Sequence, residues 1–273
     1  MKHSKTPGRI LQAAVAIFLY APILVLIVFS FNSSSSRTRF TGFTFDWYVS
    51  LFQRPDVLSA LYLTLILAVV SALIATVIGT VSAIGLYNMK ARPRRVFLSL
   101  NNIPVVNPEI ITGMSLCILF VTCIAFLNSW GLQAKQGFTT LLIAHITFNI
   151  PYVILSVMPK LRQLSKHTYE AALDLGASPF QAYKRVILPE IMPGVVSGAM
   201  IAFTMSIDDF IISFFTNGNL QTLPILIFTM TKRKVTPEIN ALSTLLFVTV
   251  LVLLIAVNVL QSRDLKKKEE KSR

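Results

Sequence analysis

The chain has 273 residues, of which 54% are hydrophobic and only 14% are charged. A soluble domain of this length would need an implausibly large core to bury so much apolar surface, so the composition excludes an ordinary soluble protein and indicates a lipid environment. A formal net charge of +13 would suggest a nucleic-acid partner in a soluble protein, but here the placement of the basic residues points to membrane orientation instead.

Six long apolar stretches predict six membrane-spanning helices. They cover residues 10–31, 58–87, 110–127, 139–159, 194–215 and 242–260. Most are near the ~20 residues that a helix needs to cross the hydrocarbon. Prolines interrupt or bound the third and fourth stretches and predict kinks there. The predicted fold class is therefore all-α, a polytopic bundle of six transmembrane helices.

The basic residues predict the orientation of these spans. Six spans place both termini on one side, and most Lys and Arg residues lie in the amino end, the second and fourth loops and the tail. The positive-inside bias makes that side cytoplasmic, so we expect a multi-pass plasma-membrane protein with both termini in the cytoplasm. We expect an amino-terminal end with the first span and outer loop (1–57), a core transmembrane domain (58–261) with a cytoplasmic loop at 165–190, and a basic cytoplasmic tail (262–273).

Two spans carry small residues at every fourth position. These are Ser71, Ala75, Gly79 and Ala83 in the second span, and Gly194, Gly198, Ala202 and Ser206 in the fifth. Lipid provides no hydrophobic drive between helices, so small side chains are what allow their backbones to approach closely. The two stripes predict a compact bundle in which both helices pack tightly against neighbours or against a partner subunit.

Three acids fall inside or at the edge of apolar stretches: Glu109, Asp208 and Asp209. A charged carboxylate there costs ~2.5 to 3.5 kcal/mol on the insertion scale, and the predicted spans contain no Lys or Arg to pair with it. We expect at least one aspartate, with Glu109, to form an acidic patch along the pathway of a cationic solute. The alternative is that the aspartates cap a kinked helix end or pair with a partner subunit.

Two other side chains allow two interpretations each. His145 in the fourth span is expected to be a packing or pathway-lining histidine, and the alternative is a proton relay. Trp47 in the first outer loop resembles an interfacial anchor, although its π-face could also hold an ammonium group.

The loop between the fourth and fifth spans has the most specific pattern. It predicts a short helix ended by Gly176, and then a second helix with Ser178 as N-cap and Pro179 at its first position. This ordered helix–turn–helix should present apolar side chains beside the Glu170 carboxylate and dock in the groove of another protein. The apolar side chains are Tyr169, Ala172, Leu173 and Leu175.

The spacing in this loop resembles the EAA loop of ABC importer permeases. Glu170-Ala171-Ala172 is followed after three residues by Gly176, and then, nine residues on, by an apolar residue, one further residue and Leu-Pro. Val186 stands where the family usually has Ile. The resemblance implies an ATPase-coupling loop made by Tyr169, Glu170, Ala171, Ala172, Leu173, Gly176, Leu188 and Pro189.

Beyond the loop, nearly the whole chain is similar to the permeases of spermidine and putrescine ABC importers. The similarity rests on Asp46-Trp47-Tyr48, on residues 144–148, on Ser206-Ile207-Asp208-Asp209 and on residues 237–243. It implies a heterodimer with a related permease, two ATP-binding subunits and an extracytoplasmic polyamine-binding protein, with no cofactor. The residues assigned to the solute pathway are Trp47, Glu109, Ser206, Asp208 and Asp209.

The sequence contains no GxxxxGK[ST] phosphate loop, so ATP must be hydrolysed by a separate chain and the protein is predicted to be a transporter subunit and not an enzyme. Three alternatives stay open at this point. One is an ABC permease for another cationic or small solute, and another is a proton-coupled secondary transporter that uses Asp208 or Asp209. The third is an intramembrane aspartyl protease, which adjacent helical aspartates suit poorly because their side chains diverge.

Overall fold

The computed structural model describes residues 6–34, 39–233 and 237–271, and the regular elements in these ranges are helical. In chain order they are α1 (Thr6–Ser30), α2 (Asp46–Gln53), α3 (Pro55–Asn88), α4 (Ala91–Val106), α5 (Glu109–Ser129), α6 (Phe138–Gln163), α7 (Lys166–Asp174), α8 (Pro179–Ala182), a π-helical segment (Tyr183–Ile187), α9 (Leu188–Asp208), α10 (Ile211–Thr216), α11 (Leu223–Arg233) and α12 (Pro237–Lys271).

Six helical stretches in the described residues are long and apolar enough to cross a membrane, which confirms the predicted number of spans. They are Leu11–Ser30, Pro55–Asn88, Glu109–Ser129, Phe138–Gln163, Pro179–Asp208 and Pro237–Ile255. The predicted course of the fifth span, 194–215 as one helix, is wrong. The helix begins well before residue 194 and ends at Asp208, and a separate helix, α10, starts at Ile211.

The residues group into two compact units: Met1–Ser59 with Leu226–Leu253, and Ala60–Ile225 with Leu254–Arg273. We call the second one the core unit. In the first unit, the Arg54 guanidinium forms ion pairs with Asp56 in the first turn of α3 (2.6 Å) and with Glu238 in the first turn of α12 (3.0 Å). The Trp47 indole N–H donates to the carbonyl of Asn32 (2.7 Å) and so fixes α2 to the end of α1.

Helix α6 is the centre of the core unit, because α3 and α9 both pack against it. Val153 of α6 is fully buried. A Cβ atom placed on Gly79 of α3 would lie 2.7 Å from Val153 Cβ, and one placed on Gly198 of α9 would lie 3.1 Å from Val153 Cα. A Cβ on Gly194 would lie 2.9 Å from the Ser156 carbonyl oxygen. The predicted close packing of both small-residue stripes is confirmed.

Replacing Gly79 by alanine should lower the stability of the core unit. The added methyl would overlap the buried Val153 side chain and approach the Ile150 carbonyl oxygen to 3.3 Å, and overpacking of this kind costs about 1–3 kcal/mol. Gly85 provides a control in the same helix, because a Cβ there meets nothing within 4 Å and alanine is the better helix former by about 1 kcal/mol. Thermal unfolding of both variants in detergent checks this, and equal melting temperatures would contradict the proposed contact.

Candidate functional site

The loop after α6 has two helices joined by a tight turn at Gly176. The Ser165 side chain caps α7 by accepting from the His167 N–H (3.3 Å). At the other end Gly176 adopts φ +85°. Its N–H donates to the Leu173 carbonyl (2.8 Å), and the Ala177 N–H donates to that of Ala172 (3.1 Å). This paired arrangement with a left-handed glycine satisfies the last carbonyls of the helix, and it confirms the predicted turn.

The second helix of the loop begins at Ser178, as predicted. The Ser178 hydroxyl accepts from the Gln181 N–H (3.3 Å), and the Gln181 side chain accepts from the Ser178 N–H (3.1 Å), a reciprocal capping box with Pro179 at the first helical position.

This helix runs without interruption through the π-helical segment into α9. The wider π turn just precedes Pro189, whose ring would otherwise crowd the carbonyl four residues earlier, that of Arg185.

The loop exposes a different apolar surface from the predicted one. Tyr169 packs against the Tyr183 ring (centroids 5.0 Å apart) and Ala172 is buried, so both face the core unit. The exposed apolar side chains are Leu175 (89% exposed) and Phe180 (74%), and Glu170 is exposed as well. Phe180 was missed in the sequence, although an apolar residue directly after Ser-Pro at a helix start could have identified it.

The fifth span breaks at Asp209, and the Asp209 side chain caps the helix that follows. Its carboxylate accepts from the backbone N–H groups of Ile212 (3.3 Å) and Ser213 (2.7 Å). The first N–H groups of a helix have no partner within the helix, so an aspartate in this position stabilises the start of α10. For Asp209 the structure therefore supports the alternative that it caps a kinked helix end.

A buried hydrogen-bond network lies next to Asp209. His145 is fully buried. Its Nδ1 lies 3.0 Å from the Ser206 hydroxyl, and its Nε2 lies 2.9 Å from the Ser213 hydroxyl and 3.5 Å from the Asp209 carboxylate. His145 is thus a hydrogen-bonded packing residue, as expected.

Ser206 connects this histidine to two further helices. Its hydroxyl accepts from the Asn149 side-chain amide (2.9 Å) and lies 2.8 Å from the Ser71 hydroxyl. The network consequently joins α3, α6, α9 and α10 of the core unit, and we call Ser71, His145, Asn149, Ser206, Asp209 and Ser213 the buried polar network. The predicted spans contain no Lys or Arg to pair with the intramembrane acids, and Asp209 instead accepts hydrogen bonds from backbone N–H groups of α10.

The structure brings the three acids into one region. Glu109 begins α5 directly after Pro108, and one turn later Gly113 packs against Ile212 and Phe215 of α10. Glu109 is exposed, and the packing of α5 against α10 places it near the break that follows Asp208. Asp208 is exposed as well, whereas Asp209 (8% exposed) and Ser206 (2%) are buried. Among the exposed pathway candidates of the core unit, Glu109 and Asp208 therefore supply the charge.

Tyr152 is a neighbour of these acids that the sequence did not single out. It lies on α6, is half-buried, and packs against the cluster of Phe120, Phe148 and Ile212, where α5, α6 and α10 meet. In the sequence, a tyrosine directly after Pro151 within a predicted span was the signal that could have identified it. Trp47, the remaining pathway candidate, belongs to the other unit, where its indole N–H is bonded to Asn32.

Residues 75–263 match the family described as "Binding-protein-dependent transport system inner membrane component". The chain belongs to this family. It is 39% identical over 245 residues to the putrescine transport system permease protein PotI of Escherichia coli K12, covering 89% of this chain and 86% of PotI. It is also 39% identical over 254 residues to the spermidine/putrescine transport system permease protein PotC of the same strain, covering 91% of this chain and 93% of PotC.

Solved structures with the same fold are importer permeases. A chain of a bacterial ABC transporter that imports alginate superposes with a TM-score of 0.73 at 18% identity, covering 94% of this chain and 95% of the other. A chain of the MetNI methionine ABC transporter gives a TM-score of 0.63, also at 18% identity, covering 81% and 98%. These identities establish the fold alone.

The family settles the class of protein. The prediction of a helical ABC importer permease subunit, a relative of the spermidine and putrescine permeases, is confirmed. Membership of a binding-protein-dependent transport family excludes the proton-coupled secondary transporter and the aspartyl protease as alternatives.

Proposed function

We propose that this permease carries polyamines, spermidine or putrescine, across the plasma membrane into the cell. The observation that carries the proposal is the pair of exposed acids, Glu109 at the start of α5 and Asp208 at the end of α9, which meet at a break in a membrane helix where α5 packs against α10. Two carboxylates in an apolar setting repel each other, and a cation between them relieves that repulsion. A polyamine has two or three positive charges and can neutralise both. PotI and PotC, similar over most of this chain, are named for putrescine and spermidine.

The proposed pathway uses the five residues identified in the sequence in two ways. Glu109 and Asp208 contact the solute directly, with the Tyr152 ring beside them as an additional cation contact. Ser206 and Asp209 act from the buried side of the break. Trp47 contributes at the outer loop, where its indole is already fixed by the bond to Asn32.

The proposed orientation places the loop of α7 and α8 in the cytoplasm with both termini, as the positive-inside bias favours. There the loop contacts an ATP-binding subunit through Leu175, Phe180 and Glu170, whose side chains are exposed. Tyr169, Ala172, Leu173 and Leu188 pack behind that surface, and Ala171, Gly176 and Pro189 complete the coupling loop. A related permease, two ATP-binding subunits and an extracytoplasmic binding protein complete the importer.

Coupling is proposed to follow the continuous helix from Pro179 to Asp208. Since no break separates α8 from α9, a movement of the loop driven by ATP is transmitted as a rigid-body movement to Asp208 at the far end. Such a movement switches the solute site between its inward-open and outward-open states.

The test is uptake of labelled spermidine by the complete importer reconstituted in proteoliposomes. We expect wild-type uptake to require ATP and to be insensitive to a proton gradient, with competition by unlabelled putrescine. Glu109→Gln removes one charge without changing the size of the side chain, and it should raise KM about tenfold, which corresponds to ~1.4 kcal/mol of lost binding. Asp46→Asn, at an exposed acid in the first turn of α2, is the matched control and should leave KM unchanged. Absence of spermidine uptake, or a wild-type KM for Glu109→Gln, would refute the proposal.

A further inference from the structure

We propose that Asp209 and His145 are positioning residues, which together fix the break in the fifth span that presents Asp208 to the solute. The inference rests on the proposed function, since it takes Asp208 to be a solute contact. It assigns different roles to two adjacent aspartates: Asp208 acts through its charge and Asp209 through its ability to accept hydrogen bonds.

The surroundings of Asp209 are those of a structural acceptor. Its side chain is 3% exposed, and its two oxygens accept from the backbone N–H groups of Ile212 and Ser213. A solute ammonium group would have to displace these donors and reach a buried carboxylate. The Asp209 carboxylate therefore serves as the cap of α10 and does not bind the solute.

His145 holds the other side of the break. Its two ring nitrogens bond Ser206, three residues before Asp209, and Ser213, four residues after it. One imidazole thus spans the point where α9 ends and α10 begins. Ser206 is itself fixed by Ser71 of α3 and Asn149 of α6, so two neighbouring helices, α3 and α6, determine the position of the break.

Asp208 has the opposite surroundings. It is the last residue of α9, and its side chain is exposed. In an unbroken helix, successive side chains would be ~100° apart. The backbone N–H groups of Ile212 and Ser213 would then bond helix carbonyls and could not be capped by the Asp209 side chain. The break lets Asp209 turn inward while Asp208 stays on the exposed surface.

Three variants of the complete importer separate charge from hydrogen bonding. Asp208→Asn keeps the shape and removes the charge, so KM for spermidine should rise at least tenfold with the melting temperature unchanged. Asp209→Asn also removes a charge, but asparagine caps helices as well as aspartate does. Its side-chain oxygen can accept from the Ser213 N–H, so the cap of α10 is kept. KM should stay within about threefold of wild type.

Asp209→Ala removes the acceptor, and we expect a lower Vmax and a lower melting temperature with KM little changed in the protein that folds. An Asp209→Asn variant with a KM as high as that of Asp208→Asn would overturn the division of roles, as would an Asp209→Ala variant with wild-type Vmax and stability. If wild type imports no spermidine, the proposed function fails by itself. The melting temperatures of Asp209→Asn and Asp209→Ala still decide whether Asp209 acts as an acceptor.

Discussion

Replacing Gly176 by valine is expected to reduce ATP-driven uptake to background while the protein still inserts in the membrane. Gly176 has φ +85°, where a side chain with a Cβ atom is strained by about 1–2 kcal/mol, and more for a β-branched residue. A Cβ at Gly176 meets nothing within 4 Å, so the defect is confined to the backbone of the turn. Relaxing that strain breaks the bonds that close α7 and tilts the exposed Leu175 away from α8.

Gly176→Asn is the matched control, since asparagine tolerates the left-handed conformation far better than valine does. We expect it to retain most of the uptake, and Ala177→Val, a similar increase in bulk at the next residue, to retain it as well. Uptake and ATPase activity are measured together, because a broken coupling loop should separate ATP hydrolysis from transport. Wild-type uptake by Gly176→Val would contradict the proposal that a movement of the loop is transmitted as a rigid-body movement to Asp208.

Replacing His145 by leucine should have the largest effect on stability. Leucine fills a similar volume but leaves the hydroxyls of Ser206 and Ser213 without their ring-nitrogen partners. Each hydrogen bond lost costs about 0.5–1.5 kcal/mol, and more where the buried hydroxyl has no other partner; Ser206 keeps its bonds with Asn149 and Ser71. The loss falls where α3, α6, α9 and α10 meet, so we expect a sharply lower melting temperature in detergent and a smaller monodisperse fraction.

Two controls keep this prediction specific. Thr147→Leu makes an apolar substitution two residues away at an exposed position of α6 and should have little effect. His145→Gln keeps one donor and one acceptor and should recover part of the lost stability. A melting temperature for His145→Leu equal to that of Thr147→Leu would show that the buried polar network adds nothing to stability.

The spans and the coupling turn were predictable because their signals are local. About twenty apolar residues in succession define a span wherever it packs, and Gly176 followed by Ser178-Pro179 specifies the end of one helix and the start of the next from adjacent residues alone. The close packing at Gly79 and Gly198 was predictable for the same reason. The identity of the partner helix, α6, was not, because spacing within one helix does not identify its neighbour.

The sequence indicated a break at Asp209 only as an alternative, because residues 194–215 contain no Pro or Gly near it. Its cause is tertiary. His145 is 61 residues from Ser206 and 68 from Ser213 in the sequence, and their bonds exist only once α6 and α9 have packed. The proximity of Glu109 to Asp208 has the same origin, since it depends on the packing of α5 against α10.

The uninterrupted course from Pro179 to Asp208 has a thermodynamic consequence. At 1.5 Å per residue its 30 residues measure about 45 Å, and tilting such a rod by about 5° displaces its far end by roughly 4 Å. That displacement exceeds the length of the hydrogen bonds that hold Asp209. In the proposed importer, the Pro179 end and the Asp208 end of this helix therefore cannot rearrange independently. Binding linkage is reciprocal: if nucleotide binding changes the affinity for the solute by a given factor, then solute binding changes the affinity for the nucleotide by the same factor.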